Sequence, residues 1–594
     1  MQPVDYTTLS AARAGLRAHW LPARCEQVYQ RDQYTLFIAL RTIEEKGWLA
    51  ISWHPQAARI HMASPPPRQP DTFTFSQQLK HQLGGLALTQ INVLSPWERV
   101  LDLQFAQRPD EPALWHLYVE IMGKYSNVIL TTADKLIVTA AHQVSEQRSS
   151  VRPIQTGRPY VHPPRIRGKL PSLAEGFEDW RDRISLIPGK LKKMLVKASS
   201  GVSSSVATQL IWSADLSVDI RTSELTEDNW QRLFKAWQHW LSCLSTETFA
   251  AATIETGGYT VLSDLLVNSD QVVLYPVQNE QTLLEDYYRY QFNQEAFRRL
   301  HHQLSQTLRH RQAKLKQKAN TFTARLQQSD QAEAYRRQAD LLMAHLSKWQ
   351  VGMSEIELRD FDSDQPVVIS LNPEKNAVQN AQALYKKHQK LKRSRIAIMP
   401  LLAEVKAEID YLNQVEDSLL QVPAYQSEAD LKALEETYLE LIAQGYLRDT
   451  SGRSPSTQAA QAKSRHREDI VDFRRYTVPQ GLEILIGRNN SQNEQLTFKQ
   501  ASDYDLWFHA QEIPGSHVLL RLNAGEVPTD ETLQLAASFA AYYSRARQSD
   551  QVPVVYTEPK NVYKPKGALP GMVIYKHEQV LWGQPQQALD FMSK

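Results

Sequence analysis

Apolar residues return along this chain at two different spacings, and the change of spacing marks where the architecture should change. Leu9, Ala12, Leu16 and Trp20 fall on one side of a helix near the start. Runs rich in branched and aromatic residues follow at Tyr34–Leu40, Trp48–Trp53, Val100–Phe105, Ser126–Leu130 and Leu136–Ala140. Such side chains fit a pleated, half-buried surface and predict strands. Pro65-Pro66-Pro67 predicts an exposed loop, and the prolines of Gly157-Arg158-Pro159-Tyr160-Val161-His162-Pro163-Pro164 suit neither a helix nor a paired strand. A mixed α and β domain is therefore expected over 1–165.

The spacing is helical over 166–254. Ile187-Pro188-Gly189 interrupts one helix before Leu191, Met194 and Leu195, and Ser200-Gly201-Val202 interrupts again before Val206, Ala207 and Leu210. Two short helical hairpins, each turning on a glycine, predict tandem helix-hairpin-helix units whose turn amides can hold a phosphate, or else a plain helical packing module. Segment 255–290 predicts strands and a short helix that return to the first domain. A helical arm is expected over 291–450. Phe297, Leu300, Leu304, Leu308, Leu315, Phe322 and Leu326 form one apolar stripe; Ile398, Leu402, Val405, Ile409 and Leu412, extended by Leu391 and Leu419, form another with steps of four and three. That is the seam of a coiled coil. An antiparallel arm with a helix of ~50 residues would reach ~75 Å. Ile356–Leu358 and Val367–Leu371 predict a small strand pair around Asp362-Ser363-Asp364, while the pattern leaves the tip of the arm open. Residues 451–469 have linker composition, and 470–594 predict a compact α/β domain. The fold class is thus α+β and multidomain, as suits 594 residues, too many for one core.

Composition adds exclusions. The net charge is only +2, but Arg148–Lys169 holds six basic residues and no acidic one, and Lys386, Lys387, Lys390, Lys392, Arg393 and Arg395 crowd one short stretch. Such clusters can contact phosphate or simply face solvent. Cys25 and Cys243 are the only cysteines, which excludes a disulfide framework and a cysteine-rich zinc site and suits a reducing cytoplasm. No signal-peptide pattern opens the chain and no stretch approaches the ~20 apolar residues of a membrane span, so a cytoplasmic protein without membrane contact is expected.

Candidate chemistry concentrates near the C-terminus. Gly487-Arg488-Asn489-Asn490 leaves a strand for a turn, followed by Asn493-Glu494-Gln495-Leu496-Thr497, Asp505-Leu506-Trp507-Phe508-His509-Ala510 and Pro514-Gly515-Ser516-His517. Tyr542 and Tyr543 lie near Arg545 and Arg547, and Lys560, Lys564 and Lys566 line a late loop. Aromatic faces interleaved with cations suit single-stranded or looped RNA. Trp507, Phe508 and one of the two adjacent tyrosines are equally expected in the core, because a strand alternates its faces. His509 and His517 have neither a third metal ligand at suitable spacing nor a nucleophile, so no catalytic centre, metal or cofactor is expected.

These residues, in this order, resemble the RNA-binding NFACT-R domain of the NFACT family. The resemblance continues in Glu120-Ile121-Met122-Gly123-Lys124-Tyr125-Ser126-Asn127, in Tyr160 with Pro163-Pro164, and in Leu371-Asn372-Pro373 with Asn376, Asn380, Tyr385, Lys386, Lys387 and Lys390. It implies the order NFACT-N (with a fold like formamidopyrimidine-type DNA glycosylases), helix-hairpin-helix, antiparallel coiled coil, NFACT-R. It also implies a quality-control factor that binds large ribosomal subunits obstructed by peptidyl-tRNA and recruits tRNA, alanine-accepting in bacterial members, for untemplated C-terminal tailing of stalled chains. Peptide transfer would fall to ribosomal RNA, so the protein would not itself be an enzyme, and a small S4-like protein is an implied partner. The tRNA-contacting positions implied are Glu98 and Arg99, with glutamate where the family has aspartate, and Asp5. Those implied for RNA are Arg488, Asn489, Asn490, Trp507, His509, His517, Lys560, Lys564, Lys566, Lys386, Lys387 and Lys390. Two other readings are weighed. A glycosylase would need proline directly after the initiator methionine, where Gln2 stands; a fibronectin-binding surface adhesin, as some relatives are described, would need export.

Overall fold

The computed structural model describes residues 1–67, 70–164, 168–267, 269–361, 363–448 and 472–593. Arg165, Arg167, Asp362 and the expected 451–469 linker lie outside the described residues. Two compact units divide the chain, Met1–Phe292 and Asn293–Lys594.

In the first unit, α1 (Tyr6–Trp20) begins at Asp5, whose carboxylate accepts from the Thr8 amide and satisfies an otherwise orphaned donor. Leu9, Ala12, Leu16 and Trp20 are all buried, as their spacing predicts. The strands are β1 (Ala23–Asp32), β2 (Thr35–Arg41), β3 (Lys46–Ser52), β4 (Arg59–Ala63), β5 (Ala87–Val93), β6 (Val100–Ala106), β7 (Trp115–Glu120), β8 (Asn127–Thr132) and β9 (Ile137–Ala140), with α2 (Thr74–Leu83) between β4 and β5. They form one nine-stranded antiparallel sheet in the order β4-β3-β2-β1-β5-β6-β7-β8-β9. Strands β2, β3, β6, β8 and β9 coincide with the five apolar runs. Strand β1 escapes that reading because its buried residues, Ala23, Cys25, Val28 and Gln30, are separated by polar ones and one of them is itself polar.

Helices α3 (Phe177–Ser185), α4 (Leu191–Ala198), α5 (Ser204–Ser213) and α6 (Glu227–Thr246) carry the two expected glycine breaks. They do not stand apart from the sheet: Trp180, Trp237 and Trp240 belong to one continuous core with α1 and the sheet. The Trp240 indole donates to Thr7 Oγ1 on α1 at 3.0 Å. The return segment folds as β10 (Ala252–Ile254), β11 (Tyr259–Thr260), α7 (Ser263–Leu266) and β12 (Leu274–Pro276). It is tied to the N-terminus, since the Gln2 side chain both donates to the Tyr259 carbonyl and accepts from its amide. Residues from Glu280 onward, expected in this segment, already belong to the long helix α8 (Glu280–Ser329).

In the second unit α8 is followed by α9 (Ala332–Ala344), a hairpin of β13 (Glu355–Arg359) and β14 (Pro366–Ser370), then α10 (Ala377–Leu420) and α11 (Glu428–Ala443). The outgoing and returning helices are antiparallel. His301 meets Leu419, Gln312 meets Leu412, His388 meets Ala332 and Tyr385 meets Asp340, so one number climbs as the other falls. On α10 the residues Ile398, Val405, Leu412 and Leu419, seven apart, are buried, and Leu402 and Ile409 between them are half-buried. The hairpin supplies what the pattern left open: it packs with Leu341, Leu342, Ala377 and Ala381 in its own small core at the turn-back of the helices. Beyond it lies a six-stranded antiparallel sheet, order β15-β16-β18-β17-β19-β22, built from β15 (Arg474–Thr477), β16 (Glu483–Ile486), β17 (Leu506–Ala510), β18 (Val518–Leu520), β19 (Val552–Thr557) and β22 (Gln579–Gly583). A short pair, β20 (Val562–Tyr563) with β21 (Ile574–Tyr575), stands beside it.

Candidate nucleic-acid interface

The Gly487-Arg488-Asn489-Asn490 turn brings the backbone close to Asn493. A Cβ on Gly487 would lie 2.2 Å from Asn493 Oδ1 and 2.9 Å from the Asn493 backbone nitrogen, so only glycine passes. Asn489 caps the helix Asn490–Gln495, accepting from the Gln492 amide at 2.8 Å. Its amide nitrogen donates to the Ala433 carbonyl and to Glu436 on α11, at 3.2 and 2.8 Å. Arg488 pairs with Asp430 at 3.2 Å and donates to the Asp472 carbonyl at 3.1 Å. Asn490 is buried. Arg488 and Asn489, expected on RNA, are engaged within the protein and hold the turn against α11, while Asn490 is enclosed with its Nδ2 unpartnered among the described residues.

Trp507 and His517 require the same correction. Phe508 enters one core of the sheet and Trp507 the other, so alternation buries both because both faces are covered. Thr497 Oγ1 donates to the Asn493 carbonyl and contacts the Trp507 indole nitrogen at 3.1 Å and His517 Nδ1 at 2.7 Å. Half-buried His509 packs edge to face with His517, ring centroids 5.3 Å apart. Burial lowers His509 to about 4 and holds His517 well below the usual imidazole range, so both rings are neutral near pH 7. Among the described residues no cluster of histidine, cysteine, aspartate or glutamate could hold a metal.

Outward-facing cations lie elsewhere in this unit. Lys566 is exposed; Lys560 and Lys564 are held at 2.5 and 2.7 Å by Glu558 and Glu494. On α10 the basic cluster divides by helical phase. Lys386, Lys390 and Arg393 share one open face. Lys387 turns the other way, its ammonium 4.0 Å from the Tyr335 ring centroid, and Arg395 pairs with Asp330.

In the first unit Asp5 and Arg99 come together. Arg99 Nη1 donates to the Val4 carbonyl at 3.3 Å, and burial lowers the guanidinium's pKa against the opposing pull of Asp5. Asp5 is enclosed, accepting from Ser203 Oγ at 2.5 Å as well as capping α1. Glu98 is buried rather than exposed, and its Oε2 has no hydrogen-bond partner among the described residues. The second glycine turn borders this site. A Cβ on Gly201 (φ +91°) would lie 2.8 Å from the Trp97 ring. The first turn's Gly189 amide is spent on Thr222 Oγ1 at 3.2 Å. Of the two alternatives, these contacts fit the helical packing module better than open phosphate cradles. Of the four described basic residues of the stretch 148–169, three make ion pairs, Arg152 with Glu120, Arg158 with Glu146 and Lys169 with Glu175.

Comparison with known proteins gives this geometry its context. Residues 5–460 match the family described as NFACT N-terminal and middle domains, and residues 472–576 match the NFACT protein RNA binding domain. The chain belongs to the NFACT family. Among NFACT relatives, the Rqc2 homolog RqcH of Bacillus subtilis is 28% identical over 574 residues, 95% of this chain and 94% of that protein. The Rqc2 homolog RqcH of Streptococcus suis is 28% identical over 97% of this chain and 96% of its own. A solved structure of the C-terminal part of the fibronectin/fibrinogen-binding protein from Streptococcus suis is 31% identical, covering 50% of this chain and 98% of its own, with a TM-score of 0.36. No helix among the described residues is long and apolar enough to cross a membrane. The NFACT-R motif residues proved legible, while their partners on α11, Asp430, Glu436 and Glu440, carried no signal beyond an ordinary acidic helix face.

Proposed function

We propose that this protein is a ribosome-associated quality-control factor and not an enzyme in its own right. In this reading it binds large ribosomal subunits obstructed by peptidyl-tRNA and recruits alanine-accepting tRNA for untemplated C-terminal tailing in the cytoplasm. The observation that carries the reading is co-extension: relatives named Rqc2 homolog RqcH align over 95% of this chain, with an RNA binding domain at the C-terminal end. The nine-stranded unit is then a glycosylase-like NFACT-N domain with α4 and α5 as its helix-hairpin-helix. Helices α8 to α10 form the antiparallel coiled coil, with 451–469 as linker and 470–594 as NFACT-R. Ribosomal RNA meets the open Lys386, Lys390 and Arg393 face and the Lys560, Lys564 and Lys566 loop. Arg99 faces tRNA, with Asp5 and Glu98 shaping its surroundings, and a small S4-like protein is a further partner.

The test is sedimentation of the tagged protein through a sucrose gradient from cells with stalled translation. Co-migration with free large subunits, not small subunits or polysomes, is expected, with tRNA in the same fractions. Sedimentation only at the top under stalling conditions removes the reading.

A further inference from the structure

A cavity of about 530 Å³ in the second unit lies where the end of α10, the start of α11 and the first strand of the C-terminal sheet meet. That size suits a small organic ligand and exceeds what an isolated phosphate fills. Three guanidinium groups, Arg474, Arg488 and Arg547, line it against one carboxylate, Asp430. Asp430 is already committed: one oxygen pairs with Arg488, and the other accepts the backbone amides of Gln426 and Ser427.

Arg474 is therefore the unusual group. Its Nη1 is enclosed with no hydrogen-bond partner, and Asp430 attracts its guanidinium without a hydrogen bond to it among the described residues. Its guanidinium sits 4.7 Å from the Tyr543 ring centroid, which offsets only part of the cost of enclosing a cation. Arg547 stands exposed at the same cavity, where its hydrogen bond among the described residues is a long 3.4 Å contact to the Leu420 carbonyl and Asp417 lies within electrostatic reach. The remaining wall is aromatic and apolar. Tyr542 is half-buried and meets Tyr543 edge to face at 5.0 Å, and Leu589, 43% exposed, and Met592 border the opening.

We propose that this cavity binds a nucleoside phosphate. The phosphate sits between Arg474 and Arg547, where fixed donor forks suit its oxygens, and the base lies against Tyr542 and the apolar rim. An inorganic anion would satisfy the cations and leave that rim unused. The nucleotide can be free or part of an RNA strand; the chemistry recognised is the same. The site does not rest on the ribosomal reading, because it is argued from the cavity alone.

The experiment is isothermal titration of the full-length protein with the four nucleoside 5′-monophosphates, a four-residue RNA and inorganic phosphate, repeated on Arg547→Glu, Tyr542→Ala and Arg474→Met. Saturable binding of a monophosphate, at least tenfold tighter than inorganic phosphate and weakened at least tenfold by Arg547→Glu and Tyr542→Ala, supports a free nucleotide. Binding of the RNA alone with the same variant losses supports an RNA nucleotide. Arg547 and Tyr542 are not fully enclosed, so they decide the matter even where Arg474→Met fails to fold. Equal affinity for inorganic phosphate, no binding of any ligand, or binding that the variants leave unchanged overturns the site. Wild-type protein that co-sediments with large subunits yet binds no ligand here sinks this inference alone; the reverse pattern sinks the ribosomal reading alone.

Discussion

The turn Gly487–Asn490 and the helical face Lys386–Arg393 are both rich in groups that nucleic acid favours, yet the fold treats them oppositely. The turn carries the more distinctive sequence and directs Arg488 and Asn489 inward, onto Asp430, Glu436 and the Ala433 carbonyl. The helical face is a plain run of lysines, and it keeps Lys386, Lys390 and Arg393 in solvent. The difference separates two reasons for a residue to be specific. A buried polar turn needs one residue type at each position because every donor must find its partner. A phosphate-contacting surface needs only charge at a suitable density, which leaves little trace in a motif.

The sharpest challenge to that contrast is Trp507→Ala. A large buried aromatic cut to alanine typically costs ~3–5 kcal/mol, so the C-terminal domain should lose its cooperative denaturant transition or shift it far downward. A variant that unfolds like the wild type but no longer binds RNA would return Trp507 to the interface. Next comes simultaneous reversal of Lys386, Lys390 and Arg393 to glutamate. The salt dependence of subunit binding should flatten by roughly two to three in log–log slope, about one unit per lost phosphate contact, with the melting temperature unchanged. Reversal of Lys387 alone, stacked on Tyr335, should flatten it less than reversal of Lys386.

Arg99→Ala extends the comparison to the first unit. Losing one arginine contact of ~1–3 kcal/mol should lower tRNA occupancy on purified subunits roughly tenfold or more. Co-purification of the subunit should stay near normal. Sequencing the bound tRNA of wild type and variant reads this directly, and an unchanged profile removes Arg99 from the tRNA contact.

The smallest effect concerns Glu440, buried on α11 between the Tyr411 hydroxyl and the Ser491 amide. Burial raises its carboxyl to about 7 from an ordinary 4.5, so the folded chain keeps a proton that the unfolded chain releases. The stability from this group is fully present below about 4.5 and is lost as pH rises through about 7. Glu440→Gln, neutral at every pH, should melt roughly 2–4 °C higher than wild type at pH 8 and close to it at pH 5. Equal melting differences at both values would show that Glu440 is ionised in the folded protein at both.

Periodicity, punctuation and motif order determined a good deal without any structure. The helix at Leu9–Trp20, five strands of the large sheet, the glycine breaks at Gly189 and Gly201 and the seven-residue repeat on α10 were all legible, because a face of local structure repeats its polarity at a fixed interval. Strand β1 was not, since its inward positions include Gln30 and bulges shift its register. Only the tertiary structure decided which chemically apt residues remain open. Arg488 and Lys386 are both cations in family motifs, and one is enclosed because Asp430 lies nearby in space though far away in sequence. The cavity around Arg474 and Arg547 was equally invisible, for its walls come from four stretches of chain, 421–430, 474–488, 542–547 and 589–592, whose meeting depends on long-range packing and not on any local pattern.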